Sequence, residues 1–344
     1  MTLNDQVNLS DSLPWVAGSM VWTLQDYLGE PGHMPWPYVS SSYGAIDLVG
    51  FPKANARWFQ AWWLQSDFPL STSSRPPLPQ EDMVYLVENN EAPRADAPVG
   101  YTPTYHVYSN AHSVELFING ASQGQQLNDK WMGYMDWNVS AWVAGNVTAV
   151  ASNAQGNVVA VDTRITATQP AKLVLTLDAP HENSGTGSKV LLDGHDVALV
   201  RATILDTQGN PALNANHNIT FNVESGPGRV LGVGNGDPTD LSPNQVNWRL
   251  AYHGLARAVV KVTVDASHEK EIRALIREID VETGKSTVQV TDPSVPYALQ
   301  SIVISASAPG LTGATLEIQV SDDEAQDGVL AVARASTHLP ISLD

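Results

Sequence analysis

The sequence contains no cysteine, which excludes disulfide bonds, thiolate metal sites and a cysteine nucleophile. It is also poor in positive charge, with 18 basic residues against 36 acidic ones and a net charge of −18. A surface of this sign repels polyanions, so we expect no nucleic-acid partner. Apolar runs of about 18 residues are absent, so we expect no membrane span, and the first ten residues lack the pattern of a signal peptide. The sequence therefore assigns no compartment.

Metal-binding and phosphate-binding patterns are missing as well. The nine histidines have no spacing typical of metal ligands, and no oxygen-rich loop has the spacing of a calcium site. Residues 232–238, GVGNGDP, have strand-like flanks and a proline where a phosphate loop would open a helix, which favours a tight turn. We therefore expect neither a metal nor a cofactor.

The length of 344 residues predicts two or three domains, because single cores rarely grow beyond about 200 residues. Four prolines among serines between Pro69 and Pro79 indicate a linker. Helical spacing at 269–278 interrupts a strand-rich region and indicates an insertion. The predicted organisation is an N-terminal segment at 1–66, a linker at 67–82, a β-sandwich at 83–169, a second sandwich at 170–322 with an insertion at about 267–297, and a tail at 323–344.

Alternating apolar and polar residues dominate from about residue 83 onwards. Residues 114–118 and 147–151 alternate in the manner of strands with one solvated face, and Asn119-Gly120 is a hairpin turn signal. Residues 206–211 carry a similar signal, for which we expect a hairpin between two strands of the second unit. This rhythm predicts two immunoglobulin-like β-sandwiches, so the fold class is mainly β.

The N-terminal segment has a different pattern. Val16, Met20, Val21 and Leu24 around a glycine predict a short buried strand, followed by a long loop rich in glycine and proline. A helix is predicted over 53–66, with its tryptophans four residues apart on adjoining faces. We expect Trp58, Trp62 and Trp63 to be packing residues.

Several blocks of sequence resemble glycoside hydrolase family 2, especially its β-galactosidase-like members. Residues 21–31, VWTLQDYLGEP, and 43–53, YGAIDLVGFPK, are similar to the end of the family's catalytic (β/α)₈ barrel. Residues 107–124 are similar to the sandwich that follows the barrel. The next immunoglobulin-like domain is matched by residues 194–198, 220–226 and 232–237.

The resemblance implies a βα remnant of the barrel ahead of the two sandwiches. A complete barrel needs about 250 residues, so most of it would precede Met1. Family members are retaining glycosidases whose acid/base and nucleophile are glutamates on barrel strands four and seven. Because the part of the family sequence that this chain resembles begins after both strands, we expect no catalytic residue in this chain and no activity from the chain alone.

Substrate-binding residues are implied on the strand-eight loop. Trp22 matches a tryptophan that forms an apolar floor under the terminal sugar; the alternative is a tryptophan that packs the barrel core or the loop. Asp26 is expected either to contact a sugar hydroxyl or to form a salt bridge within the loop. Trp36 either lines an outer subsite together with Tyr38 and Tyr43 or packs the loop. Lys53 also has two interpretations: it recognises a substrate carboxylate, or it is a solvated lysine at the start of the helix.

Two functions from different classes follow. The first is the C-terminal part of a retaining hydrolase, whose partners would be a β-linked galactoside or related glycan and an N-terminal chain supplied in trans. The second is a non-catalytic β-sandwich module that binds carbohydrate or protein. Neither involves nucleic acid or a membrane.

Overall fold

A computed structural model describes residue 13 and residues 15–18, 20–64, 81–87, 102–128, 134–179, 189–191, 194–263 and 301–321. The predicted linker centre, the predicted insertion and the predicted tail lie outside these residues. The described residues form two compact units divided between Gln169 and Pro170, and the segments Gln208–Asn214 and Gly236–Leu241 belong to the first unit. Among the described residues, no helix combines the length and hydropathy needed to span a bilayer.

The first unit contains a β-sandwich of seven strands. Its smaller sheet has the order β1-β2-β5 and its larger sheet the order β4-β3-β6-β7. The strands are β1 Val84–Leu86, β2 Thr104–Ser109, β3 Ser113–Ile118, β4 Ala121–Leu127, β5 Tyr134–Asn138, β6 Asn146–Ser152 and β7 Val158–Ile165.

The predicted alternation places one face of these strands in a core. Residues on β6 alternate between exposed or half-buried and fully buried positions, as period-two strands over a hydrophobic layer do. Asn119 and Gly120 form the turn between β3 and β4, and both have positive φ angles of 48° and 80°. The core of the sandwich consists of Leu86, Tyr105, Val107, Ala111, Val114, Leu116, Met135, Trp137, Val139, Val147, Ala149 and Ala151.

Strand β1 is bonded on both of its edges. One edge pairs with β2, and on the other edge the Leu86 backbone N–H donates to Asp162 Oδ2 at 2.8 Å. Arg164 on the same strand as Asp162 donates to the Leu86 carbonyl at 3.1 Å and forms an ion pair with Asp162. The Tyr85 ring lies against the guanidinium groups of Arg164 and Arg57, at 5.0 and 5.8 Å. Side chains of β7 thus satisfy backbone groups that a further strand would otherwise have bonded.

The second unit contains a nine-stranded sandwich. One sheet has the order β12-β14-β10-β8 and the other the order β13-β11-β15-β16-β9, in which β16 and β9 are parallel. The strands are β8 Pro170–Leu177, β9 Lys189–Leu191, β10 Val197–Asp206, β11 Asn218–Ser225, β12 Gly228–Gly234, β13 Trp248–Leu250, β14 Leu255–Val262, β15 Ile302–Ser307 and β16 Ala314–Ser321.

The expected hairpin at residues 206–211 is wrong. A turn follows β10 at these residues, but β10 pairs with β8 and β14, whereas β11 pairs with β13 and β15. The turn therefore carries the chain from one sheet to the other. A local turn signal specifies a reversal of the chain and does not specify which strands pair, because pairing is decided by burial across the sandwich.

Helix α1, Ala54–Trp63, is the helix that the tryptophan spacing predicted. Trp58 and Trp62 are buried and stacked, with ring centroids 5.5 Å apart, and they pack with Phe59 against Tyr108 of β2. Trp63 is 56% exposed and stacks on Phe59. The helix therefore buries its apolar face on the first sandwich.

The expected buried strand at residues 16–24 is also wrong. Met20 is fully exposed and Leu24 is 71% exposed, and the described residues of this segment form no strand. Its backbone instead makes isolated hydrogen bonds, in which the Thr23 and Leu24 carbonyls accept the N–H groups of Ala45 and Ile46 at 3.1 and 2.9 Å. A parallel barrel strand is normally hydrogen-bonded on both edges and covered on both faces, and the described residues supply no other parallel strand beside it.

Candidate functional site

Aromatic side chains of the N-terminal segment form a cluster around Trp22, in which Trp22 and Tyr43 are exposed and Tyr27 is half-buried. The Trp22 indole Nε1–H donates to the Tyr27 hydroxyl at 3.2 Å, and the two rings meet edge to face with centroids 6.3 Å apart. Tyr27 makes a second edge contact with Tyr43 at 6.1 Å. Trp22 is 74% exposed, so one face of its ring is open to a ligand. The Trp22–Thr23 peptide bond is cis.

Glu30 is the acceptor at the centre of this cluster. Its Oε2 atom accepts hydrogen bonds from the hydroxyls of Tyr27 and Tyr43, the latter at 2.8 Å. The hydrogen bond from Tyr27, followed by that from Tyr43, lowers the pKa of Glu30 below its usual value. A hydrogen bond between the hydroxyls of Tyr27 and Tyr43 raises the pKa of Tyr43, with smaller contributions from burial and from Glu30. At neutral pH Glu30 is therefore ionised and the Tyr43 phenol is protonated.

Asp26 takes part in a second set of contacts, an ion pair and a hydrogen bond. Its side chain is only 7% exposed; Oδ2 pairs with Lys53 Nζ at 2.8 Å, and Oδ1 accepts the Gly44 N–H at 2.7 Å. A Cβ atom on Gly44 would lie 2.4 Å from the Asp26 backbone nitrogen, so the position admits no side chain. Lys53 also donates to the Ser42 carbonyl and is the N-cap residue of α1. The structure thus contains the loop salt bridge that the sequence left open, and direct sugar contact by Asp26 stays a prediction.

Trp36 takes no part in these two sets of hydrogen bonds among the described residues. It is 74% exposed, and within the described residues no ring contact involves it. It belongs to a stretch in which exposed large apolar side chains are concentrated. They are Trp15, Met20, Val21, Trp22, Leu24, Leu28, Met34, Trp36 and Tyr43.

A loop distant in sequence supports the same stretch. Residues 236–241 belong to the first compact unit, where the Pro238 carbonyl accepts the Val39 N–H at 2.9 Å. The Val39 carbonyl in turn accepts the Gly29 N–H at 2.7 Å. A Cβ atom on Gly236 would lie 2.0 Å from Asp47 Oδ2, which explains a glycine at this position. The predicted turn motif therefore has a packing role.

The described residues show no metal centre. They contain no group of three or more His, Asp or Glu side chains arranged to hold an ion. Within the turn motif, the Asp237 carboxylate accepts the N–H and hydroxyl of Thr239 at 2.8 and 2.7 Å, which is a local turn interaction.

The sequence prediction identified Trp22 but missed the residues that hold it. Tyr27 and Glu30 flank Gly29, which has a φ of 97°, and this turn brings two side chains three residues apart to the same hydroxyl contact. The signal in the sequence was a tyrosine and a glutamate on either side of a glycine. It was insufficient, because Tyr43 joins the cluster from a separate part of the loop.

Two family models match the chain. Residues 186–280 match glycoside hydrolase family 2 C-terminal domain 5, and residues 104–160 match a domain of unknown function, DUF4982. The first match falls on the second sandwich and the second on the first sandwich.

Curated proteins give the same relationship. The chain is 30% identical over 261 residues to the beta-galactosidase BoGH2A of Bacteroides ovatus, covering 76% of this chain and 27% of that protein. It is 28% identical over 271 residues to a putative beta-glucuronidase of Formosa agariphila, covering 76% of this chain and 23% of that protein. The chain thus spans about a quarter of the length of these relatives.

A beta-glycosidase from Bacteroides vulgatus shares the fold, with a TM-score of 0.67, 24% identity and coverage of 93% of this chain and 33% of that one. The family model and the curated relatives indicate the same family, and the solved structure shows that its fold is shared. The chain is thus related to glycoside hydrolase family 2, and it matches the C-terminal β domains of that family.

Proposed function

We propose that this chain acts as the C-terminal part of a retaining family 2 glycoside hydrolase of the β-galactosidase type. The observation that carries the proposal is the concentration of exposed aromatic and apolar side chains at residues 15–43, around the tethered indole of Trp22. Large exposed apolar patches mark surfaces that bind a ligand or another protein surface. The face of an indole packs well against the C–H groups of a pyranose ring.

In the proposed enzyme these residues bind and orient the sugar. Retaining glycosidases use two carboxyl groups about 5 Å apart, one as acid/base and one as nucleophile. The carboxylate of Asp26 is engaged by Lys53 and Gly44, and that of Glu30 by two phenols. We therefore assign neither residue to the catalytic pair. The two catalytic glutamates would come from barrel strands supplied by an N-terminal polypeptide, and the substrate would be a β-linked galactoside or a related glycan.

Trp22 and Trp36 are the proposed sugar contacts, because their rings are exposed. Asp26 is the proposed support beneath them. Its oxygens hold Lys53 at the start of α1 and Gly44 in the loop, so it fixes the backbone from which the cluster projects.

The first test uses the purified chain with chromogenic β-galactoside and β-glucuronide. We expect no turnover, since the groups that lower the barrier by many kcal/mol would be missing. Turnover that disappears in Asp26→Asn or Glu30→Gln would contradict the proposal and would make the affected residue catalytic.

The second test replaces the homologous C-terminal quarter of the Bacteroides ovatus beta-galactosidase with this chain. We expect the chimera to hydrolyse a β-galactoside, and Trp22→Ala to lower its kcat/KM by about tenfold or more, equivalent to at least about 1.4 kcal/mol of lost transition-state binding. Trp63→Ala is the matched control, because Trp63 is also an exposed tryptophan but stacks on Phe59 of the helix. A folded chimera in which both variants behave alike would contradict the assignment of Trp22.

The non-catalytic binding module predicts the opposite pattern. If it is correct, the chain alone binds its glycan or protein partner, and that affinity does not require the Trp22 cluster. Retention of full binding in Trp22→Ala together with an inactive, folded chimera would favour this alternative.

A further inference from the structure

Three oxygen atoms in the Trp22 cluster lie within hydrogen-bond distance of one another. They are the hydroxyl oxygens of Tyr27 and Tyr43, which are 2.6 Å apart, and Oε2 of Glu30. Each phenol carries one proton, and an ionised carboxylate carries none. Two protons are therefore available for the three oxygen–oxygen contacts, Tyr27–Glu30, Tyr43–Glu30 and Tyr27–Tyr43. Both protons are used inside this group of three atoms. A lone pair on the Tyr27 oxygen consequently remains for the indole N–H of Trp22.

Trp22 cannot be held by burial. Its side chain is 74% exposed, and its ring makes an edge-to-face contact with the ring of Tyr27. An exposed side chain normally samples several rotamers, so an ordered ring needs directional contacts. The hydrogen bond to Tyr27 is such a contact, and Tyr27 is itself held through its hydroxyl by Glu30.

The backbone of Glu30 carries a second, independent sign of constraint. Its φ angle is +48°, in the left-handed region that residues with a Cβ seldom adopt. Such conformations persist where surrounding contacts fix them, and they occur often at ligand-binding sites. Gly29 before it has a φ of 97° and donates its N–H to the Val39 carbonyl. Both side-chain and backbone geometry therefore converge on Glu30.

We propose that Glu30 is a positioning residue that fixes the ring of Trp22 through Tyr27, with Tyr43 as the second donor that holds the carboxylate in place. The functional meaning of this role, a preordered ring face for a sugar, rests on the proposed function above. The structural link from Glu30 to Trp22 does not require it. Glu30 acts here through other side chains and not on the reacting atoms.

The experiment follows the indole N–H resonance of Trp22 in the uniformly ¹⁵N-labelled chain, assigned by its loss in Trp22→Phe. Tyr27→Phe, which removes the acceptor, should move the resonance towards that of a solvated indole and speed its hydrogen exchange by about threefold or more. Glu30→Ala should cause the same change, and Glu30→Gln a smaller one, because glutamine keeps an acceptor oxygen without the charge. Tyr43→Phe should give a change between those of Glu30→Gln and the parent chain.

Glu115→Gln is the matched control, since Glu115 also accepts a side-chain hydroxyl, that of Ser122, at 2.5 Å. It should leave the Trp22 resonance in place. The proposal is overturned if the resonance is unmoved in Glu30→Ala and Glu30→Gln while backbone amides of residues 27–43 keep their positions. Loss of those amide positions in every variant would also overturn it, because Glu30 would then support the loop as a whole.

No sugar is needed for this measurement. If the Trp22 resonance moves in Glu30→Ala but the parent chimera is folded and inactive, the proposed function is rejected and the positioning role is retained. An unmoved signal combined with an active, Trp22-dependent chimera would reject the positioning role alone.

Discussion

At the scale of single residues, the candidate site depends on which partner each charged group has. Glu30 and Asp26 lie four residues apart in the sequence, yet one is an exposed acceptor of phenol protons and the other a largely buried partner of Lys53. The residue types and spacing were compatible with either carboxylate contacting a sugar. The two carboxylates differ because the loop after residue 30 returns to them: Tyr43 contacts Glu30, and Gly44 contacts Asp26. Contacts between such distant residues leave no periodic pattern in the sequence.

The ionisation of Glu30 gives a prediction about pH. Its pKa is lowered in the folded state, so its bonds with Tyr27 and Tyr43 stabilise the cluster above the usual glutamate value of about 4.3 and are lost as the pH falls through the lowered value. We expect the side-chain carboxyl carbon of Glu30 to titrate below that usual value in a ¹³C NMR pH series. Tyr27→Phe should raise the midpoint more than Tyr43→Phe does. A midpoint at or above the usual value in the parent chain would contradict the hydrogen-bond assignment.

The buried carboxylate gives a prediction about protection. Asp26→Ala should leave the Gly44 N–H without its acceptor, which costs about 1 to 3 kcal/mol, and should speed the exchange of that amide by about five- to 150-fold. Asp26→Asn retains an oxygen for Gly44 and should have a smaller effect, although the charge pair with Lys53 is lost. Equal exchange rates in the two variants would show that the ion pair, and not the Gly44 bond, holds the loop.

At the scale of secondary-structure elements, local pattern predicted some strands well and others not at all. The alternating residues 114–118 and 147–151 lie within strands β3 and β6, because alternation over one buried face is the pattern of such strands. Strand β4 was missed, since ASQGQQL has few apolar residues and its side chains are mostly exposed. It is a strand because the Asn119-Gly120 turn pairs it with β3, and this pairing is a property of its neighbour.

Helix α1 provides a test of packing. Trp58→Ala should lower the free energy of unfolding of the first unit by about 3 to 5 kcal/mol, because Trp58 is buried between Trp62 and Phe59. Trp63→Ala removes an exposed ring and should cost much less. Urea unfolding followed by circular dichroism measures both variants. A similar loss for the two would mean that the helix stabilises the unit through its backbone contacts rather than through this cluster.

A buried arginine provides the corresponding test for the second unit. Arg249 of β13 is almost fully buried and donates to the carbonyls of Val233, Ser242 and Pro243 and to the Asn244 side chain, at 2.8 to 3.1 Å. Arg249→Lys replaces a planar fork of donors by a single ammonium, so we expect a loss of about 2 kcal/mol in the free energy of unfolding. An unchanged urea midpoint and slope would show that water replaces these bonds without cost.

At the scale of the whole molecule, each compact unit has its own core, as the change of pattern along the sequence predicted for two sandwiches. The predicted boundaries themselves remain predictions, because the linker, the insertion and the tail fall largely outside the described residues. The missing buried strand has a physical explanation at this scale. Its sequence resembles that of a barrel strand, and a barrel strand is completed by neighbours far away in the chain.

Independent cores predict independent folding. A chain of residues 170–344 should unfold cooperatively by itself in urea, because strands β8 to β16 contain both sheets of the second sandwich. Circular dichroism and the sharpness of the transition give the answer. A non-cooperative or molten transition would indicate that this sandwich needs residues from before position 170.

The closed outer edge of β1 has a consequence for solubility. An edge strand with open N–H and C=O groups is a template for another chain, and here a single carboxylate and a single guanidinium, Asp162 and Arg164, occupy the groups of Leu86. Replacing both by alanine would free those groups without emptying the core, since neither side chain belongs to it. The folded protein would then offer a docking edge to its own copies. Asp162 and Arg164, separated by Thr163 on β7, thus protect the protein against self-association, a role quite separate from any sugar.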